Sequence, residues 1–304
     1  MNSGLCICSK KVSQDEVDII KCEKCALTMH HKCYTGNSND KLEPNDSLCI
    51  TCTVNKINPF ESVDAPYLNP VILPRKPSLK TGNISGNFVL SEEIIKKVKK
   101  DGNYKVFLYC VLHDSTFQSE KGYIWPENFE ISFNTHKMKQ NNNEPLELTL
   151  YVKSSSNNIL FSYKQLNKDY ILFVLGTKQV SPKQLHDSLE QCRQYSIEEC
   201  KVLICNILKK SEIEKENLSL KCVYSLAIMD IPVRGNRCMH IGCFDLLNYL
   251  TCCKKTKIWK CPICKKITYY KDLIIDNYIK SIITEYKKLN NDTNLIFIDC
   301  EGIY

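Results

Sequence analysis

The sequence predicts a multidomain α+β protein in which a β-sandwich-like domain lies between two small cysteine-rich modules, the second flanked by helices. Three observations predict it. Closely spaced Cys and His residues cluster between 6 and 52 and again between 238 and 264. The stretch between them holds short apolar runs punctuated by turns, and serine-capped helical segments separate those runs from the second cluster. At 304 residues the chain should hold two or three domains.

Apolar residues make up 43% of the chain, enough for packed cores, and no apolar run is long enough to cross a bilayer. Met1-Asn-Ser-Gly-Leu-Cys6 lacks the basic flank and apolar stretch of a secretory signal, so secretion is not expected. Nineteen cysteines would suit a disulfide scaffold. Without a signal peptide, closely spaced pairs are more often thiolates on metal, which implies a reducing compartment. The net charge of +7 is mild and spread along the chain. It suits an acidic partner but does not by itself indicate nucleic acid.

The first module carries Cys6, Cys8, Cys22, Cys25, His30, Cys33, Cys49 and Cys52. In that order they make two interleaved zinc sites, Cys6, Cys8, His30 and Cys33 for one and Cys22, Cys25, Cys49 and Cys52 for the other. His31 is a rival ligand, but the His-x2-Cys step to Cys33 favours His30. So small a module has little apolar core, and structural zinc, worth roughly 10–16 kcal/mol in small fingers, must carry its folding. The series resembles a PHD finger, taken as residues 4–53. Readers of methylated histone tails in that family place an aromatic two residues before the His ligand, as a cage wall for the cation. Thr28 stands there instead, which favours a structural finger or one of different peptide specificity.

Residues 54–81, with Asn58-Pro-Phe, Pro66-Tyr67-Leu68-Asn69-Pro70 and Pro74, read as an extended linker. Residues 82–180 read as the β domain. Ser91 to Lys100 has a Ser cap, early acids and late bases, and predicts a short helix stopped by Asp101-Gly102. Its lysines could serve as an import signal, but a solvated helix face is the favoured reading. Tyr104–Leu112 reads as a buried strand and Phe129–Phe133 as a half-buried one. Gln140 to Asn143 is a polar loop. Strands over 146–152, 158–163 and 170–175 complete a sandwich pattern. Ser181-Pro182 opens a helical connector, 181–217, with helices expected over 183–194 and 196–209.

In the second module, Cys238-Met-His240 and Cys261-Pro-Ile-Cys264 flank a helical segment, Phe244–Leu250. That is the ligand set of one closed tetrahedral zinc site: Cys238, His240, Cys261 and Cys264. A RING order would need a second site at Cys222, Ser225, Cys243 and Leu246, where two of the four positions are not ligands. Cys222, Ser225 and Cys243 are therefore expected to be buried and hydrogen-bonded among themselves and to backbone. The competing reading is a further zinc that recruits Cys252 or Cys253. A helix over 273–286 should pack on the module.

This half-RING, with Arg234-Gly235 upstream and Cys243-Phe244-Asp245 inside it, resembles the SP-RING (MIZ-type) finger of Siz/PIAS SUMO ligases, here residues 218–270. Pro145-Leu146-Glu147-Leu148-Thr149 is similar to the motif that names the family's PINIT domain, Pro-Ile-Asn-Ile/Leu-Thr, and Tyr123-Ile-Trp125-Pro126 matches an aromatic–proline step before a strand. The competing reading of Trp125 and Pro126 is core and turn. The order of a PHD finger, a PINIT domain and an SP-RING resembles the PHD-bearing members of the family known from plants.

The resemblance implies a nuclear SUMO-protein ligase with three zinc ions and no nucleophile of its own. Its partners would be a SUMO conjugating enzyme, SUMO and protein substrates associated with chromatin, with a histone tail as a candidate ligand of the finger and no membrane. Conjugating-enzyme contacts are expected at Tyr224, Trp259, Pro262 and Ile263, though Trp259 could equally be core. Relatives usually have Pro then Leu or Ile where this chain has Val223-Tyr224. Residues 271–304 are expected as a helix and strand, a shortened form of the family's trailing domain. There Leu295, Ile296, Phe297, Ile298 and Asp299 are either a SUMO-interacting motif that adds a strand to SUMO's sheet edge or, as favoured, a structural strand before Glu301-Gly302-Ile-Tyr304. No SAP-like module precedes the finger, so direct DNA binding is not supported. Two rival functions remain: a RING-like ubiquitin ligase and a non-catalytic chromatin adaptor.

Overall fold

The computed structural model describes residues 6–8, 10, 12, 18–35, 48–75, 81–113, 123–140, 143–188, 192–288 and 295–299. The chain forms two compact units, Met1–Val180 and Ser181–Tyr304. Among the described residues no helix is long and apolar enough to cross a membrane.

The first unit begins with a hairpin of β1 (Ile19–Lys21) and β2 (Thr28–His30), followed by α1 (His31–Thr35). Helix α2 (Ile50–Ile57) starts directly on Cys49 as its N-cap. Then comes β3 (Glu61–Leu73), a 13-residue strand. The extended linker expected over 54–81 is therefore corrected: its first residues finish α2, and most of the rest is a sheet strand. The prolines misled because proline usually excludes a ladder position. Here β3 is the edge of its sheet and its pairing with β10 is broken by register shifts, the setting in which Pro66 and Pro70 are tolerated.

The unit continues through β4 (Gly82–Val89), α3 (Glu92–Lys100), β5 (Tyr104–Leu112), β6 (Phe129–Phe133), β7 (His136–Met138) and β8 (Leu146–Glu147). The Ser91 hydroxyl accepts from the Ile94 N–H to cap α3, and its lysines are solvated. The strand expected over 146–152 ends early, in a 3₁₀ turn at Thr149–Tyr151. Strands β9 (Ser156–Tyr163) and β10 (Tyr170–Gln179) complete two sheets, ordered β3-β10-β5-β8 and β4-β9-β6-β7. Val106, Leu108 and Cys110 of β5 and Leu172 and Val174 of β10 meet Phe88, Ile131, Phe133, Ile159 and Phe161 of the other sheet in one core. Trp125 and Pro126 belong to the interior: the indole N–H donates to the Glu144 carbonyl at 3.0 Å and the ring stacks on Phe129.

The second unit opens with α4 (Pro182–Ser188), β11 (Arg193–Tyr195) and α5 (Ile197–Lys210). The helix expected over 183–194 is thus corrected to a shorter one followed by a strand, whereas α5 starts where Ser196 and Glu199 form a reciprocal capping box. Next come β12 (Lys215–Ser219), β13 (Pro232–Gly235), β14 (Phe244–Asp245) and α6 (Leu246–Thr256). The segment expected as one helix from 273 divides into β15 (Leu273–Asp276) and α7 (Asn277–Lys288). The last strand is β16 (Leu295–Asp299); the expected turn at Glu301–Tyr304 lies outside the described residues. One sheet runs β11-β15-β13-β14, with β11 parallel to β15, and β12 pairs with β16. The expected connector is part of this unit: α4 packs on α6, and the Tyr270 hydroxyl donates to the Leu185 carbonyl at 2.8 Å.

Candidate functional site

Among the described residues, three groups of side chains meet the geometry of a metal centre. Cys6, Cys8, His30 and Cys33 form the first; Cys22, Cys25, Cys49 and Cys52 the second; Cys238, His240, Cys261 and Cys264 the third. In each, the four ligand atoms lie within 4.8 Å of one another. The first two interleave across the β1–β2 hairpin. The hairpin turn is a knuckle: Cys22 N–H donates to Leu27 O, Ala26 N–H donates to Cys22 O, both at 2.8 Å, and Ala26 sits at φ 57°. His30 turns Nδ1 to Cys8 Sγ at 3.3 Å, while His31 turns away to Asp18 at 3.5 Å.

The donor chemistry fits zinc. Cys25 and Cys49 sulphurs are 3.6 Å apart, as are those of Cys264 and Cys238. That is far beyond a disulfide bond. It is close to the edge of about 3.8 Å that a tetrahedron with Zn–S bonds of about 2.3 Å requires. The thiols also divide by proton affinity. Burial opposes ionisation of Cys22, yet backbone N–H groups of Cys49, Cys25 and Lys24 bring it down to about 7, while burial pushes Cys25 up to about 11. Burial likewise opposes ionisation of Cys8, but the Lys10 N–H and neighbouring side chains carry it below its ordinary value. Burial and the charge of Cys6 push Cys33 up to about 12. In the third group a hydrogen bond from Cys238 holds Cys261 at about 3, and the same bond with burial pushes Cys238 up. A cation at the centre would let all the sulphurs ionise together.

The third group is set by a second knuckle. Cys261 N–H donates to Lys266 O at 2.8 Å and Lys265 N–H to Cys261 O at 3.0 Å, with Lys265 at φ 63°. His240 offers Nε2, 3.3 Å from Cys261 Sγ. Gly235 is required beside it, because a Cβ there would lie 2.8 Å from Thr268 Oγ1 and 3.0 Å from Cys238 Sγ.

The incomplete half-site keeps the same knuckle backbone. Cys222 N–H donates to Ala227 O and Leu226 N–H to Cys222 O, both at 2.8 Å, with Leu226 at φ 57°. What fills it differs from expectation. Cys222 and Cys243 are buried, but Ser225 is exposed, and the three do not bond to one another. Cys222 Sγ accepts from the N–H groups of Tyr224 and Asp245 at 3.4 Å. Ser225 Oγ accepts from the Asn248 side chain at 3.1 Å. Cys243 Sγ accepts from the Arg234 guanidinium at 3.3 Å. Arg234 is also paired with Asp276, and Asp245 caps α6. Sequence reasoning missed Asp276; its one signal is a lone acid closing the apolar run Leu273-Ile-Ile. The Cys253 thiol donates to Ile258 O at 3.2 Å, and among the described residues neither it nor Cys252 belongs to a metal group.

Two loops carry the expected contact residues. Val223, Tyr224 and Leu226 on the first and Ile258, Ile263 and Ile267 on the second are exposed apolar side chains. Burial, with the neighbouring thiols of Cys252, Cys253 and Cys261, pushes the Tyr224 hydroxyl up. Pro262 is half-buried. Trp259 is half-buried too, its ring flanked by Tyr249 at 6.1 Å and Tyr269 at 6.3 Å. Residues 295–299 are β16, paired antiparallel with β12, with Ile296 and Ile298 inward and Leu295 and Phe297 outward.

Comparison with known proteins agrees with this geometry. Residues 54–178 match the PINIT domain family and residues 218–267 the MIZ/SP-RING zinc finger family. The chain is 27% identical over 261 residues to the E3 SUMO-protein ligase pli1 of Schizosaccharomyces pombe, covering 80% of this chain and 35% of that one. It is 24% identical over 336 residues to the E3 SUMO-protein ligase SIZ1 of Oryza sativa subsp. japonica, covering 98% of this chain and 38% of that one. The chain thus spans about a third of the length of these relatives. The crystal structure of the S. cerevisiae SUMO E3 ligase SIZ2 shares its fold, with a TM-score of 0.57 at 23% identity over 81% of this chain and 97% of that one. With a PINIT domain leading into a MIZ/SP-RING finger that has one metal group and one incomplete knuckle, this chain is similar to the Siz/PIAS-type SUMO ligases in both domains and in their order.

Proposed function

We propose that the chain is an E3 SUMO-protein ligase. The observation that carries this reading is the pair of exposed apolar loops beside the third metal group, offered by Val223, Tyr224 and Ile263. A RING-type ligase needs such a surface to dock a conjugating enzyme charged with SUMO. The substrate lysine amine attacks the thioester carbonyl, the C–N isopeptide bond forms, the C–S bond breaks, and the enzyme's cysteine leaves as thiolate while the amine gives up a proton. The ligase contributes positioning, which converts a loose encounter into an attack-ready one.

Cys6, Cys8, His30 and Cys33, then Cys22, Cys25, Cys49 and Cys52, then Cys238, His240, Cys261 and Cys264 would each hold one zinc, three in all. Closed four-ligand sites of this kind supply folding energy rather than Lewis-acid chemistry. The domain division we favour is a PHD-type finger over 4–53, a PINIT domain that includes β3, and an SP-RING unit that includes α4, β11 and α5. The partners are a SUMO conjugating enzyme, SUMO and protein substrates in the nucleus. Chromatin-associated substrates and a histone tail on the finger are the finer form of that proposal, and Thr28 at the cage position argues against a trimethyl-lysine reader.

The deciding measurement is single-turnover discharge of SUMO from purified, charged conjugating enzyme to free lysine, with and without the full chain. Acceleration by the wild type, lost in Cys261→Ser, is the expected result. No acceleration with SUMO, or acceleration with ubiquitin-charged enzyme instead, would overturn it.

A further inference from the structure

Strands β5 and β10 are buried on both faces, although a two-layer sandwich covers only one. Their inward residues meet the second sheet, as described above. Their alternate residues, Phe107, Tyr109 and Val111 on β5 and Ile171, Phe173 and Leu175 on β10, point the other way and are buried as well. Side chains alternate strictly along a strand, so this second face needs its own cover. The cover is the cysteine-rich finger. Ile7, Met29, Ile50, Val54 and the ligand residues Cys6, Cys22, Cys49 and Cys52 form one apolar cluster with those six residues, and Cys8 and Cys33 pack against it.

Polar contacts fix the position. The His113 ring donates through Nε2 to the carbonyl of the ligand residue Cys33 at 2.7 Å. Val63 N–H donates to the Asn55 side chain at 3.2 Å, which ties α2 to β3. Under the finger, Tyr109 stacks on Phe173 with centroids 5.3 Å apart and donates to Glu61 at 2.8 Å. Bare, this face would be a contiguous apolar patch of a kind that soluble proteins rarely expose. The finger, for its part, is too small to enclose a core alone.

We propose that the finger is a fixed third layer of the PINIT unit, so that its two metal centres and the outer face of the sheet stabilise one another. This rests on the reading of the first two groups as zinc sites. Loss of zinc from the finger would uncover the sheet, and damage to the sheet's outer face would loosen the zinc. The finger is then an integral support of the β domain rather than a module on a free tether.

The test uses the full chain. Wild type, Phe173→Ala on the outer face and Leu172→Ala on the inner face are first assayed for zinc content. Zinc transfer to a chromophoric chelator is then followed below the unfolding temperature of all three. Phe173→Ala should release two of its zincs about tenfold faster than wild type, within the 5–150-fold range of ordinary coupling between sites. Leu172→Ala should release them at the wild-type rate. Conversely, Cys49→Ser should speed hydrogen exchange of the Phe107–Val111 and Ile171–Leu175 amides about tenfold. If that variant is insoluble, the same amides are read on wild-type chain treated with chelator. The proposal requires both effects, so a change in one direction only, or in neither, overturns it. Equal acceleration by Leu172→Ala reduces the effect to general destabilisation and overturns it too. A wild-type chain with one zinc instead of three sinks the zinc reading itself.

Discussion

The guanidinium of Arg234 donates to the carboxylate of Asp276 where solvent reaches neither: the side chains are 0% and 1% exposed. Arg234 also donates to the His240 carbonyl at 3.2 Å and to Cys243 Sγ at 3.3 Å. The other oxygen of Asp276 accepts from Ile279 N–H at 2.9 Å and so caps α7. A fixed positive charge therefore ties the metal hairpin, the half-site residue Cys243 and the start of α7 together, beside a knuckle that lacks two ligands. Burial pushes the Cys243 thiol up to about 12 despite the Arg234 charge, so it stays protonated at neutral pH and Asp276 is left to balance the arginine.

Breaking that pair from one side should be costly. Arg234→Met leaves the Asp276 carboxylate buried without its cation and should lower the unfolding free energy of the second unit by about 3–5 kcal/mol. Asp276→Asn keeps the α7 cap and removes the charge. The double variant should recover much of the Arg234→Met loss, because replacing a whole buried pair is often close to neutral. Urea unfolding followed by Trp259 fluorescence measures all three. Equal loss in the single and double variants would assign the effect to shape and not to charge.

Metal content separates the functional groups from the incomplete knuckle. Wild type should carry three zincs per chain, and Cys222→Ser should still carry three, because Cys222 accepts only backbone N–H groups. Cys261→Ser or His240→Ala should lose one zinc, unfold the second unit and abolish SUMO discharge while leaving the N-terminal finger folded, since metal energy at a closed site is also folding energy. Four zincs in wild type, falling to three in Cys222→Ser, would contradict this assignment.

The metal groups were legible because ligand spacing is a local property, carried by Cys-x2-Cys and Cys-x-His steps that also dictate the knuckle backbone. The pairing of elements was less so. Pro66 and Pro70 read as a connector, and only the edge position of β3 makes a strand of them. Leu273-Ile-Ile-Asp276 runs straight into a helical pattern, and short apolar runs do not distinguish strand from helix. The continuous apolar run Tyr104–Leu112 announced burial. Its second cover, the finger, depends on contacts across the whole first unit that no local pattern encodes.

Ile263→Ala tests the docking loops. The side chain is 38% exposed between two ligand residues of a closed site, so truncation should leave zinc content and thermal midpoint nearly unchanged. Discharge of SUMO should fall by more than about fivefold, the equivalent of the 1 kcal/mol or more that marks an interface anchor. Loss of stability in step with activity would make Ile263 a prop of the loop, and a fully active, fully stable variant would remove it from both roles.

The last strand allows its two faces to be separated. Ile296 and Ile298 point inward from β16 while Leu295 and Phe297 point outward at 52% and 61% exposure. If β16 serves the fold, Ile298→Ala should cost about 2–5 kcal/mol, as for other buried Ile truncations. Phe297→Ser should then leave both stability and non-covalent SUMO binding at wild-type values in a titration followed by NMR. A SUMO-interacting role for 295–299 makes the opposite demand. The edge of β16 that pairs with no strand among the described residues would have to add a strand to SUMO with Leu295 and Phe297 as anchors, because Ile296 and Ile298 are already committed to the interior. Loss of SUMO binding in Phe297→Ser, at unchanged stability, would assign the outer face to SUMO and leave the inner face to the fold.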